Sequence, residues 1–176
     1  MQASNNVKYY HYLVFAIWLV FIVLVGSNFI KSRLTPFDPE EKLINIDGID
    51  LIREIRSIPE LEKVSFEKTL IHFTSEGCGC TQFSENHKSE ITRKAINDGF
   101  KVVNIHLPVK VKTIIPSTPS ILIVSSTSEL LYYGPYSTGL ACSESNGFVE
   151  LVLNNYTSGF NSNLIINDTT GCYCKI

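Results

Sequence analysis

The chain has 176 residues, five of them cysteines, and carries 15 basic against 17 acidic side chains, for a net charge of −2. This length allows one domain and an appendage. The slightly negative charge, with no basic patch, argues against nucleic acid as a partner.

An apolar segment near the N-terminus predicts a membrane anchor. Residues 13–25 are an unbroken apolar run, and residues 12–30 together are long enough, at about 20 residues, to cross a bilayer core of ~30 Å. Tyrosines at one end suit the membrane interface. No small-residue cleavage site follows, as a secretory signal would require. We therefore expect a short tail at 1–11 and an uncleaved single-pass anchor at 12–30, which makes the membrane a partner.

The cysteines favour an oxidising compartment. Five of them lie outside the apolar run, mostly as close pairs, and such cysteines are typical of proteins outside the cytoplasm. The charges that flank the anchor, Lys8 against Lys31 and Arg33, are nearly balanced and do not decide the orientation. On the cysteines we expect the domain to face away from the cytoplasm.

The remaining residues alternate between helical and strand patterns. Residues 31–45, with two prolines and mixed charges, predict a linker, followed by a folded domain at 46–158 and a cysteine-containing extension at 159–176. Apolar periodicity predicts helices at 47–57, 81–97 and 143–155, and strands at 70–73, 100–107, 120–125, 130–133 and 163–167. This order predicts an α/β sandwich around a mixed central sheet. His87 and His106 are predicted to be surface or strand-end residues.

Residues 69–80 carry the strongest chemical signal. A short apolar strand pattern ends in Cys78 and Cys80, one residue apart, just before a helical pattern. The N–H groups and dipole at a helix start stabilise a thiolate. We expect Cys78 to be the nucleophile and Cys80 the thiol that resolves a mixed disulfide. Buried structural thiols, or fixed bridges to other cysteines, are the alternative.

The chain resembles the thioredoxin-like superfamily over residues 46–156. The resemblance is carried by the strand–C-x-C–helix unit, by the segment 117–121 that opens a strand, and by the strand at 130–134 followed by a helix. The motif is one residue shorter than the family's C-x-x-C. The resemblance implies a thioredoxin-like fold in which Pro119 is cis and faces the active cysteines, while Thr118 contacts the substrate chain. The layout is also similar to bacterial membrane-anchored thioredoxin-like proteins, which implies the bacterial inner membrane, with the domain in the periplasm.

His72 takes its expected role from the same resemblance. It aligns with the buried acid of the family and could accept a proton from Cys80, with a pKa near the working pH. The alternative is a core histidine with one ring nitrogen bonded to the backbone.

The layout also implies where the other cysteines lie. Cys142 is expected near Cys78, and a returning tail would bring Cys172 and Cys174 to the same rim. Cys142 could then bridge to Cys172 or Cys174 and fasten the tail. Alternatively, Cys78, Cys80, Cys172 and Cys174 could form a thiolate cage for Zn²⁺ or Cu(I), although C-x-C is a tight spacing for tetrahedral zinc.

These observations favour a thiol-disulfide oxidoreductase that exchanges disulfides with a protein partner and needs no cofactor. The first alternative is a metal-binding or metallochaperone module on the same scaffold. The second is a non-catalytic interaction domain in which the cysteines only crosslink the chain.

Overall fold

The computed structural model describes residues 3–108, 113–139 and 147–176. They form two compact units, Met1–Leu34 and Thr35–Ile176.

The first unit is a single apolar helix, α1 (Ala3–Arg33). Its segment Tyr9–Ser32 has 24 residues, and the most apolar 18-residue stretch within it has a mean hydropathy of 2.6 and no buried residue. At 1.5 Å per residue this segment is about 36 Å long, which exceeds a hydrocarbon core of ~30 Å. The predicted apolar helix is confirmed, and it is long and apolar enough to span a membrane.

The second unit is built on a five-stranded mixed sheet, as predicted. Its strands are β2 (Thr69–Ser75), β3 (Lys101–Leu107), β5 (Ser120–Val124), β6 (Leu130–Pro135) and β7 (Leu164–Ile165). Their order in the sheet is β3-β2-β5-β6-β7. β2 runs parallel to β3, β5 is antiparallel to both β2 and β6, and β7 is parallel to β6.

Helices cover both faces of the sheet. α2 (Gly48–Arg56) packs Leu51 and Ile55 into the cluster that contains Ile71 and Phe73 of β2. On the other face, α3 (Cys80–Asn97) and α4 (Phe148–Thr157) pack against Leu70 of the same strand. Successive side chains of a strand point to opposite faces, so β2 contributes to both cores. The α/β sandwich arrangement is therefore observed.

Local signals account for most element boundaries. α2 begins where the Asp47 side chain accepts a hydrogen bond of 2.8 Å from the Asp50 N–H, an N-cap that satisfies one orphan donor. It is followed by a 3-10 turn at Pro59–Leu61. α3 ends at Asn97 before Gly99, whose φ of +82° suits glycine. α4 is observed from Phe148, and residues 143–146 of its predicted N-terminal part lie outside the described residues.

The expected linker and extension are largely part of the folded unit. β1 (Thr35–Pro36) pairs with β8 (Thr170–Gly171), and β4 (Ser117–Thr118) pairs with β9 (Cys174–Lys175). Phe37 is fully buried, with its ring 5.2 Å from that of Tyr173. The unit therefore begins at Thr35, not at 46, and continues to Ile176, not to 158. In the sequence, Phe37 is surrounded by prolines and charged residues, so no apolar pattern predicts that its side chain is buried.

Candidate functional site: a four-cysteine cluster

The junction between β2 and α3 presents the two cysteines of the C-x-C motif. The chain leaves β2 at Ser75 and turns at Gly77, whose φ of +70° is a conformation that favours glycine. Gly79 caps α3 with no side-chain hydrogen bond, and Cys80 is the first helical residue. Cys78 and Cys80 are both half-buried. The motif thus lies at a helix start, as predicted.

Two disulfides join this motif to the C-terminal tail. Cys78 is bonded to Cys174 and Cys80 to Cys172, with sequence separations of 96 and 92. The expected bridge from Cys142 to Cys172 or Cys174 is therefore wrong, because both tail cysteines are bonded to the C-x-C motif. Cys142 itself lies outside the described residues.

Sheet topology brings the tail to the motif. β5 runs antiparallel to β2 and pairs Ser120 with Phe73, so β5 begins beside the end of β2. β6 ends opposite Ser120, and β7 runs parallel to β6, so the chain after β7 emerges at the same end of the sheet as the end of β2. Hydrogen bonds of Tyr173 hold the tail there: its hydroxyl donates to the Ser137 carbonyl (2.8 Å), and its carbonyl accepts from the Thr35 hydroxyl (3.0 Å).

Thr118, which precedes Pro119, contacts the first cysteine. The Thr118–Pro119 peptide bond is cis, as the resemblance implied. The Thr118 hydroxyl is 2.7 Å from the Ser75 hydroxyl, and its carbonyl oxygen is 3.6 Å from the Cys78 Sγ. In the disulfide the Cys78 sulfur has no proton to donate, so this is a contact and not a hydrogen bond. Thr118 also lies opposite Cys174 in the β4–β9 pair.

The sulfur atoms form a compact cluster. The Sγ atoms of Cys78, Cys80 and Cys174 all lie within 4.8 Å of one another, and Cys172 is bonded to Cys80. Zinc–sulfur bonds of about 2.3 Å place tetrahedral ligands roughly 3.8 Å apart, so reduced sulfurs at this spacing fit a thiolate metal site. Thiolates also suit Cu(I). The cluster is compatible with both disulfide exchange and metal binding.

His72 is buried on the face of the sheet that α3 covers. Its Nδ1 is hydrogen-bonded to the Tyr136 hydroxyl, and its Nε2 lies 3.0 Å from the Thr92 hydroxyl of α3. Burial, with a smaller effect of the Lys88 charge, lowers the pKa of His72 to about 3. The expected pKa near the working pH is therefore wrong. Within the described residues, no hydrogen bond joins His72 to a cysteine, and its partners are hydroxyl groups rather than the backbone.

His87 was wrongly predicted to be a surface residue. Its side chain is fully buried on α3, and its Nε2 is 2.6 Å from Oε1 of Glu150 on α4. A signal was present in the sequence, because His87, Ile91 and Ala95 recur at four-residue spacing on one helical face. That face is the buried one. His106, in contrast, is exposed on β3.

Comparison with known proteins gives a family. No curated protein and no solved structure matches the chain significantly. Residues 52–176 match the family described as "Domain of unknown function (DUF6436)". The match covers most of the chain and includes all four bridged cysteines. The chain therefore belongs to the DUF6436 family.

Proposed function

We propose that this chain is a membrane-tethered, thioredoxin-like thiol-disulfide oxidoreductase that exchanges disulfides with a protein partner. Cys78 provides the sulfur that attacks a disulfide of the partner, or that is attacked by a thiolate of the partner. Cys80 resolves the mixed disulfide. The reaction needs no cofactor, because the electrons pass between sulfur atoms.

The observation that carries this proposal is the position of the Cys78 sulfur. It is half-buried at a helix start and lies 3.6 Å from the main-chain oxygen of Thr118. The same Thr118 belongs to the two-residue strand β4, which pairs with an extended segment that carries Cys174. A cysteine delivered on an extended chain can therefore be held by main-chain pairing while its sulfur reaches Cys78.

The proposed location is a bacterial inner membrane, with the domain facing the periplasm. Support comes from the apolar segment Tyr9–Ser32 and from two disulfides, which persist in oxidising compartments. A membrane-impermeant maleimide, added to intact spheroplasts after mild reduction, tests the orientation. Labelling of the cysteines without lysis supports it, and labelling only after lysis contradicts it.

The activity is tested with the full-length chain in detergent, using insulin reduction by dithiothreitol as the assay. Cys78→Ser is expected to abolish the acceleration of this reaction. Cys174→Ser is the matched control, because it removes the same bridge and leaves the nucleophile intact, so it should retain activity. Exchange that survives in Cys78→Ser would show that the nucleophile is wrong.

A second candidate is a Zn²⁺ or Cu(I) module, which the spacing of three Sγ atoms within 4.8 Å favours. Cys78, Cys80, Cys172 and Cys174 would hold the ion once both bridges are reduced. Metal analysis of anaerobically reduced protein tests it: one tightly bound ion per chain, lost in Cys80→Ser but kept in Cys142→Ser, would support this candidate. Protein that retains no metal after desalting would exclude it.

A further inference from the structure

Cys174 is bonded to Cys78 in the geometry that we expect for the cysteine of an extended partner chain. It lies on an extended segment, opposite Thr118 in an antiparallel pair, with its sulfur bonded to Cys78. The Ile176 N–H adds a hydrogen bond of 3.2 Å to the Pro116 carbonyl. The tail of the chain therefore occupies the position at which an extended peptide would pair with β4.

The two bridges differ in accessibility on the tail side. Cys172 and Tyr173 are buried, with exposed fractions of 9% and 7%. Cys174 is half-buried, and Lys175 beyond it is exposed. The ion pair between Lys175 and Glu40 joins two exposed side chains, and such pairs contribute little to stability. A thiol from solution thus reaches the Cys78–Cys174 bridge more readily than the Cys80–Cys172 bridge.

Opening the first bridge leaves a thiolate close to the second. The Sγ atoms of Cys78 and Cys174 each lie within 4.8 Å of the Cys80 Sγ, which is bonded to Cys172. Groups tethered at such distances meet at an effective concentration in the millimolar range or above. Exchange inside the chain therefore outcompetes exchange with a dilute external thiol.

We propose that Cys172 and Cys174 are a second redox-active pair, which exchanges a disulfide with Cys78 and Cys80 inside the chain. The tail cysteines are then reactants and not fixed crosslinks. This inference rests on the proposed exchange function and extends it, because the domain would take four electrons from two dithiol partners instead of two electrons from one.

The steps balance without an external oxidant. A partner thiolate attacks the Cys78 Sγ, forms a mixed disulfide with Cys78 and expels the Cys174 thiolate, which takes a proton from water. The partner's second thiolate then attacks its own sulfur in the mixed disulfide, so the partner is released as a disulfide and the Cys78 thiolate is expelled. Next, the Cys78 thiolate attacks the Cys80 Sγ, which forms the Cys78–Cys80 disulfide and expels the Cys172 thiolate. That thiolate takes a proton from water, and the new disulfide oxidises a second partner.

The test follows the disulfides of the oxidised full-length chain in detergent after one molar equivalent of dithiothreitol. All samples carry Cys142→Ser, so that only the four bridged cysteines report. Acid quenching, alkylation and peptide mapping then identify the remaining bridge. We expect a two-electron-reduced species in which Cys78 and Cys80 are joined and both tail cysteines are alkylated. A remaining bridge that is always Cys80–Cys172, or always Cys78–Cys174, would overturn the proposal.

A tail variant separates this inference from the proposed function. Cys172→Ser/Cys174→Ser keeps the C-x-C motif and removes the second pair. We expect it to oxidise one molar equivalent of dithiothreitol, against two for the chain with all four cysteines. An equal uptake by both proteins would contradict the second pair while leaving exchange at Cys78 intact. A loss of all uptake in the variant, with its fold preserved by circular dichroism, would contradict exchange through the C-x-C motif itself.

Discussion

The Sγ of Cys78 lies 3.6 Å from the carbonyl oxygen of Thr118. This contact involves the main chain of Thr118, while its hydroxyl points to Ser75, at 2.7 Å, with both residues buried. The two roles of Thr118 are therefore separable: the backbone borders the reactive sulfur, and the side chain fastens β4 to the end of β2.

Thr118→Val is expected to lower stability without impairing exchange. It leaves the buried Ser75 hydroxyl without its partner, which costs about 1–3 kcal/mol. The exchange rate should change by less than about twofold, because main-chain groups make the contact with an extended partner. Guanidinium unfolding and the insulin assay measure the two effects. Ser75→Ala/Thr118→Val should recover most of the stability, and a large loss of exchange by a folded Thr118→Val would implicate the hydroxyl.

The two disulfides should stabilise the domain non-additively, because the loop closed by Cys78–Cys174 contains the loop closed by Cys80–Cys172. Either bridge alone closes a loop of more than 90 residues, worth about 4.7 kcal/mol in the chain-entropy model. The other bridge then closes only a small ring of roughly six residues, worth about 2 kcal/mol. Cys78→Ser/Cys174→Ser and Cys80→Ser/Cys172→Ser each remove one bridge without leaving a thiol that could attack the other. Each should therefore cost about 2 kcal/mol, and the loss of both bridges about 7 kcal/mol.

Guanidinium unfolding of the compact unit Thr35–Ile176 measures these costs. The singly bridged variants in reducing buffer serve as controls, since they should then match the reduced wild type. Losses for the two bridges that add up to the loss measured when both are removed would contradict the nested-loop account.

His72 should make the domain sensitive to acid. Burial lowers the pKa of His72 to about 3 from its ordinary value of 6.5, so at intermediate pH the unfolded chain binds a proton that the folded chain does not. The contribution of His72 to stability is complete above pH 6.5 and falls by about 1.4 kcal/mol per pH unit as the pH drops toward 3.

The measurement compares the pH dependence of unfolding for wild type and His72→Gln between pH 7 and pH 4. The wild type should lose more stability on acidification than the variant. His106→Gln, at an exposed histidine, is the control and should follow the wild type. Parallel curves for wild type and His72→Gln would show that the pKa of His72 is the same in the folded and unfolded chain, which would contradict the prediction.

His87 and Glu150 should contribute a coupling energy between α3 and α4. Nε2 of the buried His87 is 2.6 Å from Glu150, and its Nδ1 has no hydrogen-bond partner in the described part of the chain. Glu150→Leu therefore leaves a buried imidazole without any partner, at a cost of about 1–3 kcal/mol. In a double-mutant cycle with His87→Leu, the double variant should be more stable than the sum of the single losses predicts. Additive losses would show that the pair contributes no coupling.

Local sequence patterns determined most of the helices and strands of this protein and the position of its C-x-C motif. The apolar run that became α1, the helices and strands of the sheet, and the strand–C-x-C–helix unit each follow from residues close together in sequence. Such signals suffice because helix and strand periodicity, turns and caps depend on neighbouring residues. The expected return of Cys172 and Cys174 to the rim of Cys78 is also observed, since β7 runs parallel to β6 and both tail cysteines are bonded to the C-x-C motif.

Only the tertiary structure decided which sulfurs are bonded and which polar groups are buried. The pairing of Cys78 with Cys174 closes a loop of more than 90 residues, and it depends on β1, β8 and β9, strands of two residues each that carry almost no local signal. His72 and His87 have the same side chain as the exposed His106, yet packing against α3 and α4 withdraws both from water. Sequence determines the elements because their causes are local. Which cysteines are bonded and which histidines are buried depends on contacts between residues distant in sequence, and these contacts exist only once the chain has folded.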